Sequence, residues 1–345
     1  MGGAILFENS FGLDYSIALF SGALIIVIYT FVGGFLAVSW TDAVQAILML
    51  IALLIVPLSV IAGAGGSSSA WSQLQAANPQ STALFANMTF ISFVSLLAWG
   101  LGYVGQPHIL ARFMAAENPL KLVAARRIAM SWMLIVLLGS VSTGLAGIAY
   151  FSGQPLNNPE TVFIALSQNL FNPWIAGIIT AAILSAIMST VDSQLLVSSS
   201  VISEDFYRVF IRPNASDKEL LTVSRAAVIG IALLALLIAS DRDSRVLDLV
   251  SYAWAGFGAS FGPVVVFSLF WRKMTAQSAV AGMLLGAVTV VFWSNMSGGI
   301  FDLYEIVPGF LFGSIAIVGF GLLKPEVNGA TLDQYDGAQL LLAGR

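Results

Sequence analysis

The sequence predicts an all-α polytopic membrane protein with about nine transmembrane helices, and three observations carry that reading. Of the 345 residues 58% are hydrophobic and 9% charged, with a mean hydropathy of +0.90, too little polar surface for a soluble domain of this length. Nine stretches are close to the roughly 20 apolar residues that a bilayer core about 30 Å thick requires of a helix. The basic residues keep to alternate connections between those stretches, as they do in chains that cross a membrane repeatedly. Barrel strands would be about 10 residues long and would alternate apolar with polar, which these stretches do not.

Taken in order, the predicted spans lie near 16–38, 43–63, 88–110, 127–151, 174–198, 223–240, 246–270, 277–296 and 305–323. Residues 1–15, with Glu8 and Asp14, read as a short acidic tail. The Gly/Ser/Gln-rich run at 63–88 reads as an external loop and "SEDFYRVFIRPNASDKEL" at 203–220 as a cytoplasmic one. Residues 324–345 are polar enough to lie in water and too short to fold alone. Arg112, Lys121, Arg126, Arg127, Arg208, Arg212, Lys218, Arg225, Arg272, Lys273, Lys324 and Arg345 fall on one side. The connections 64–87, 152–173 and 297–304 hold no Lys or Arg, and 241–245 holds Arg242 and Arg245 beside two aspartates.

The positive-inside rule makes the basic side cytoplasmic, which places the C-terminus inside and, after nine crossings, the N-terminus outside. No basic n-region or cleavable signal peptide explains an external start, so a segment upstream of Met1 is expected. The alternative is a first helix that translocates its own acidic tail. The absence of cysteine excludes disulfides, thiolate metal sites and a cysteine nucleophile. Matches to N-x-S/T at Asn87, Asn214 and Asn295 occur at chance frequency. Gly258/Gly262, Gly282/Gly286 and Gly309/Gly313 have the spacing of closely packed membrane helices.

Three constellations carry chemistry. In "LLAWGLGYVGQPHILARF", residues 96–113, Gly100, Gly102, Gly105 and Pro107 lie within eight positions, and such a cluster in a spanning segment predicts a broken helix lining a cavity or buried in protein. The freed N–H and C=O groups and the two half-helix dipoles there can hold a charged solute. Trp99 and Tyr103, four apart, share a face and offer aromatic walls to a small ring, an aliphatic body or an amine. The competing reading makes them ordinary packing residues, with the glycines permitting close helix contact. His108, the only histidine, reads as an interfacial or hydrogen-bonded core residue rather than a proton carrier.

In "SAIMSTVDSQLLVSSS", residues 185–200, the Ser189 and Thr190 hydroxyls are neighbours and the Ala186 carbonyl lies one turn earlier. Uncharged hard oxygens of this kind suit a weakly held Na⁺, although membrane helices also use Ser and Thr to bond their own backbone. Asp192 follows two positions on; an ionisable residue inside a span faces a cavity or partner, unless it lies near enough to the cytoplasmic end to be hydrated. In "FLAVSWTDAVQ", residues 35–45, two spans meet with almost no loop. Asp42 sits at that expected turn, either capping the second helix with Thr41 or serving gating or an ion path.

With these motifs, "GGFLAVSWTD", "WGLGYVGQPHILARFM", "AILSAIMSTVDSQLLVSSS", "LVSYAWAGFGASFGPVV" and "YEIVPGFLFGSIAIV", the chain resembles the sodium:solute symporter family, most closely its proline-carrying branch. The resemblance implies a partial LeuT-like inverted-repeat fold and a chain matching the last nine of the family's thirteen helices. Within a single transmembrane domain over 1–345, residues 1–63 would end the first repeat, 88–270 form the second, 277–323 the peripheral helices, and 324–345 a cytoplasmic tail. It implies Trp99, Tyr103 and Pro107 at the substrate, Ala186, Ser189 and Thr190 at sodium, and Asp42 in ion coupling; Asp192, from its place inside a span, is expected in coupling or gating as well.

The implied function is secondary active transport in the cell (inner) membrane: sodium-coupled symport of L-proline, with Na⁺ co-transported and no nucleic acid involved. The alternatives are a truncated, non-transporting fragment that needs a separate N-terminal part, or a sodium symporter for another small carboxylate. An enzyme is not expected, because the sequence carries no metal cluster, Ser/His/Asp set or paired carboxylates at useful spacing.

Overall fold

The computed structural model describes residues 1–345 except 84, 86–87, 119–120, 242–244, 324–328 and 344–345, with the backbone alone described at 32, 33, 35, 37, 330 and 341–343. Asn87, Arg242, Lys324 and Arg345 therefore lie outside the described residues. In chain order the helices are α1 (Gly2–Phe11), α2 (Tyr15–Gly63), α3 (Ser67–Ala77), α4 (Phe90–Gly102), α5 (Pro107–Met114), α6 (Lys121–Tyr150), α7 (Val162–Leu170), α8 (Pro173–Ser200), α9 (Asp217–Ala239), α10 (Val246–Phe270), α11 (Ala276–Ser294), α12 (Ile306–Leu323) and α13 (Gly329–Ala343). Short 3₁₀ turns join several of them, and no strand occurs among the described residues.

Among the described residues, seven helices are long and apolar enough to cross a bilayer, and eight when the bent pair Phe90–Gly105 and Pro107–Met114 is taken as one span. The remaining predicted stretch, the first, is the apolar helix Tyr15–Phe31, which at about 1.5 Å per residue falls somewhat short of the hydrocarbon thickness. Every predicted span thus has a helical counterpart.

The structure moves several boundaries. The turn expected at Asp42 lies upstream: α2 breaks at Gly34, whose φ of 62° and ψ of −179° belong to a region open essentially to glycine alone, and the second limb runs Val38–Gly63. Residues 2–11 form α1 rather than a tail, closed by Gly12 at φ 67°, and the loop at 63–88 contains α3. Helix α8 does not end near 198 but continues as a π-helix over Val201–Ile211, so much of the expected cytoplasmic loop is helical. Arg208 there pairs with Glu204 at 3.0 Å and Asp217 at 3.5 Å, and Tyr207 donates to Glu219 at 2.8 Å, which ties the extension to the start of α9.

The chain divides into two compact units, Met1–Ala86 with Ala116–Asp243, and Asn87–Ala115 with Ser244–Arg345. The first is built on α2 and α8. Val56, Leu166, Ile179 and Ala182 form one core cluster, Ala4, Tyr15, Ala18 and Leu19 a second, and Ile26, Leu195 and Val228 a third. Asn172 caps α8 by accepting from the backbone N–H groups of Trp174 and Ile175, and Pro173 occupies the first turn, where its missing N–H costs nothing.

The second unit packs α10, α11 and α12 at backbone distance. A Cβ on Gly286 would fall 2.3 Å from the Ala259 carbonyl oxygen, and one on Gly309 2.7 Å from the Ala259 Cβ. The small-residue spacings are therefore packing seams, as the sequence led one to expect. The tail does not stand alone in water: α13 leans on its own unit, with the Arg272 guanidinium on both Asp336 oxygens at 3.0 and 2.7 Å and Gln339 donating to the Leu269 carbonyl at 2.9 Å.

Candidate functional site

The candidate residues fall into two sets, one in each unit. The first set lies between the limbs of α2 and the middle of α8. Beyond Ile26, Thr30 projects toward α8, and its hydroxyl lies 2.7 Å from Asp192 Oδ1 and 2.9 Å from the Ile26 carbonyl oxygen. A hydroxyl has one proton, and the shorter contact to the stronger acceptor takes it. Asp192 is fully buried, at 0% exposure, so it is not a hydrated residue at a helix end. Its Oδ2 is also buried and meets no donor among the described residues.

Asp42 stands inside the second limb of α2 rather than at a turn, and it is buried. Ser193, one position past Asp192, lies 2.7 Å from the Ser189 carbonyl oxygen and 3.4 Å from Asp42 Oδ2. Thr41 does not cap the limb; its hydroxyl donates to the Val38 carbonyl at 2.9 Å and is hydrogen-bonded to Tyr29 across the break. One turn earlier on α8 the Ser189 and Thr190 hydroxyls both donate to the Ala186 carbonyl oxygen, at 3.0 and 3.1 Å, the bonding to their own backbone that membrane helices commonly make. Two hydroxyls that share a single carbonyl can turn their protons away and present three uncharged oxygens to one small cation.

The second set is the broken span. Thr89 caps α4 by accepting from the Ser92 N–H at 3.1 Å. The helix tightens into a 3₁₀ turn over Tyr103–Gly105, turns extended at Gln106 with φ −82° and ψ 115°, and restarts at Pro107 with a 48° bend. None of the clustered glycines has positive φ, so they do not serve to unwind the chain. Gly102 and Gly105 instead admit α10: a Cβ on Gly102 would fall 1.9 Å from Trp254 Nε1, and one on Gly105 2.5 Å from the Phe257 carbonyl oxygen. Both readings of this stretch hold together, a broken helix and close packing.

The Trp99 indole stacks with Trp254 at 5.6 Å and 15° and with Tyr304 at 5.9 Å and 17°, while Tyr103 meets Trp254 edge-on at 4.8 Å. Tyr304 donates to the Ser251 carbonyl at 2.7 Å, and Ser95 accepts from its N–H at 3.0 Å. Burial first, and then the neighbouring Glu305 carboxylate, push the Tyr304 phenol above its ordinary value, which keeps it a hydroxyl donor. His108 is half-buried in the first turn of α5.

The sodium:solute symporter family profile matches residues 1–286. This chain belongs to the sodium:solute symporter family. It is 52% identical over 339 residues to the sodium/proline symporter of Salmonella typhimurium (strain LT2), covering 96% of this chain and 67% of that protein. It is equally similar to the sodium/proline symporter of Escherichia coli (strain K12), at 52% over 339 residues. The high-affinity proline transporter PutP of Bacillus subtilis (strain 168) is 46% identical over 98% of this chain and 72% of its own length. The chain therefore spans about two thirds of the length of these relatives. A solved structure of a Na⁺-coupled sialic acid symporter, in a substrate-bound outward-open state, superposes with a TM-score of 0.76 at 19% identity, over 93% of this chain and 70% of that one. That likeness carries the LeuT-like fold, and family membership makes the chain a multi-pass membrane transporter rather than an enzyme.

For this family member, sequence reasoning missed Thr30, Ser193, Trp254 and Tyr304. Thr30 had a signal, a lone hydroxyl beside Tyr29 in an apolar run, but nothing in it pointed to a partner 162 positions away. Ser193 stood inside a quoted motif. Trp254 and Tyr304 also stood inside quoted motifs, but nothing there assigned them a role, because both matter through tertiary contact with the break.

Proposed function

We propose that this chain performs secondary active transport, the sodium-coupled symport of L-proline into the cell, with Na⁺ as the co-transported ion. The single observation that carries the reading is 52% identity, over 96% of the chain, to proteins that are sodium/proline symporters. The three oxygens of Ala186, Ser189 and Thr190 support a sodium position on α8, since a monovalent ion held by neutral dipoles leaves again readily. The buried Asp192 on α8 and Asp42 on the facing limb of α2 supply negative charge for gating or coupling. Trp99 and Tyr103 line the substrate site on the broken span, where Pro107 ends one limb and opens the next.

Residues 1–63 belong to the end of a first repeat, 88–270 to a second, 277–323 to peripheral helices and 324–345 to the tail. The protein lies in the cell (inner) membrane with the C-terminus cytoplasmic and the start of this chain outside, the orientation that the basic residues favour. Coupling needs only that sodium bind the outward-open state better than the inward-open one and that proline share that preference. The test is uptake of labelled proline into proteoliposomes, with sodium or choline outside, by this chain and by a version extended to the relatives' length. Sodium-dependent uptake that unlabelled proline abolishes is the expected result. No proline uptake by the extended version, with uptake of another small carboxylate in its place, overturns the proposal.

A further inference from the structure

The break in the span leaves polar backbone to be satisfied and two half-helices to be held at a fixed angle, and one residue outside the span does both. Trp254, in the middle of α10, donates its indole N–H to the Trp99 carbonyl on the first limb at 2.9 Å. Its own carbonyl accepts from the side-chain amide of Gln106 at 3.3 Å. Gln106 is the residue before Pro107, only 3% exposed, and its side chain makes no capping bond to α5. The amide is thus committed to Trp254 instead of to the helix it precedes. The same indole stacks on Trp99 and takes the edge of Tyr103, and it sits where a Cβ on Gly102 would be.

We infer that Trp254 is a positioning residue for substrate: it clamps the two limbs of the broken span and so sets the orientation of Trp99 and Tyr103. The inference rests on the proline-symport reading for what those two side chains do. Trp254 touches the limbs on both sides of the bend through different atoms, so the angle between the limbs and the attitude of the two rings are set together. An acceptor in a dry site that loses its donor regains it only by moving, and the Trp99 carbonyl and indole would move with it. A ring displaced by about 1 Å is enough to weaken a fitted site severely.

The test uses the transport-competent protein carrying this sequence, in proteoliposomes, with labelled proline. Trp254→Phe keeps an aromatic ring on α10 but removes the indole N–H together with the five-membered part of the ring, so it takes away the donor to the Trp99 carbonyl and part of the stacking surface. It is expected to raise the proline concentration for half-maximal uptake about tenfold, with the maximal rate changed by less than about twofold. A residue that merely supported the fold would lower the amount of active protein, hence the maximal rate, and leave the half-saturating concentration alone. Gly102→Ala gives an independent readout through the fit of the added methyl. It should impair proline binding strongly in the presence of Trp254, and add little in a Trp254→Ala background, where the methyl finds space. Unchanged half-saturation in Trp254→Phe, or equal harm from Gly102→Ala in both backgrounds, overturns the inference. Should the parent protein carry no proline, it is the functional reading that fails. Should Trp254→Ala not reach the membrane, the Trp254→Phe measurement decides alone.

Discussion

Replacing Thr30 by valine removes one hydroxyl and almost nothing else, because the two side chains have nearly the same shape. The Ile26 carbonyl, the other neighbour of that hydroxyl, lies at the regular i−4 position and keeps its helical partner in the Thr30 backbone N–H. The loss therefore falls on Asp192, whose Oδ1 accepts from Thr30 at 2.7 Å and whose side chain is fully buried. Since no water replaces the lost donor without opening the core, the cost is that of a buried acceptor left unpaired, about 1–3 kcal/mol. Ser21→Ala is the matched control on the same helix: its hydroxyl also bonds back to a carbonyl, that of Ile17 at 2.7 Å, but it is exposed, and its loss should cost less than about 0.5 kcal/mol. Thermal unfolding of both variants in detergent, followed by tryptophan fluorescence beside the parent, measures the difference. If Thr30→Val melts with Ser21→Ala, the hydrogen bond between α2 and α8 does not stabilise the unit and the account of Asp192 as a held carboxyl is wrong.

The paired change Ser189→Ala with Thr190→Ala removes two of the three uncharged oxygens and should raise the sodium concentration for half-maximal uptake by about tenfold or more; an unchanged sodium curve removes that assignment. Trp99→Ala and Tyr103→Ala should each raise the half-saturating proline concentration, by about tenfold, since each deletes a ring from the aromatic set around the break. Gly286→Ala places a methyl 2.3 Å from the Ala259 carbonyl oxygen and should destabilise the second unit by about 1–3 kcal/mol, read as a lower melting temperature; an unaltered melt refutes the seam. The Arg272 guanidinium, by hydrogen bonding first and by charge as well, holds the Asp336 carboxyl below the usual carboxylate range. A depressed carboxyl contributes stability above its ordinary value, near about 3.9, and loses it as pH falls through the lowered one. Hydrogen exchange of residues 329–343 should therefore accelerate only under strongly acidic conditions in the parent, and already at neutral pH in Arg272→Gln; equal exchange in the two at neutral pH would sink the contact.

The helical segments were legible because hydrophobic length is a direct physical requirement of the bilayer, and it survives any tertiary detail. Local breaks were legible only in part. Pro107, with the glycines before it, announces the break between α4 and α5, since proline lacks the N–H and constrains the residue before it. Asp42 misled, because a polar pair in an apolar run reads as a cap, whereas the actual break needed the one conformation that Gly34 alone supplies. The extension of α8 to Ile211 was hidden by its charges, which look like a loop until Arg208 is seen pairing with Glu204 one turn away. Asp192 could be flagged as costly from sequence, but whether it was hydrated or buried depends on Thr30, and that pairing is tertiary.

The glycines of the broken span show why packing and function were poor alternatives. A helix interrupted inside a membrane must hand its free carbonyls to a neighbour, because lipid offers no donor. A donor such as the Trp254 indole reaches the Trp99 carbonyl only if the backbones approach closely, and close approach requires that no Cβ intervene, which is what Gly102 and Gly258 provide: a Cβ on Gly258 would fall 2.7 Å from the Gly102 Cα. The glycines are thus needed because the helix is broken, although none of them does the breaking. Substituting alanine at Gly100, which faces open space, should consequently be tolerated in both fold and uptake, whereas the same change two residues on should not. A Gly100→Ala variant as defective as Gly102→Ala would mean that chain flexibility, rather than the fit to α10, is what the glycines supply.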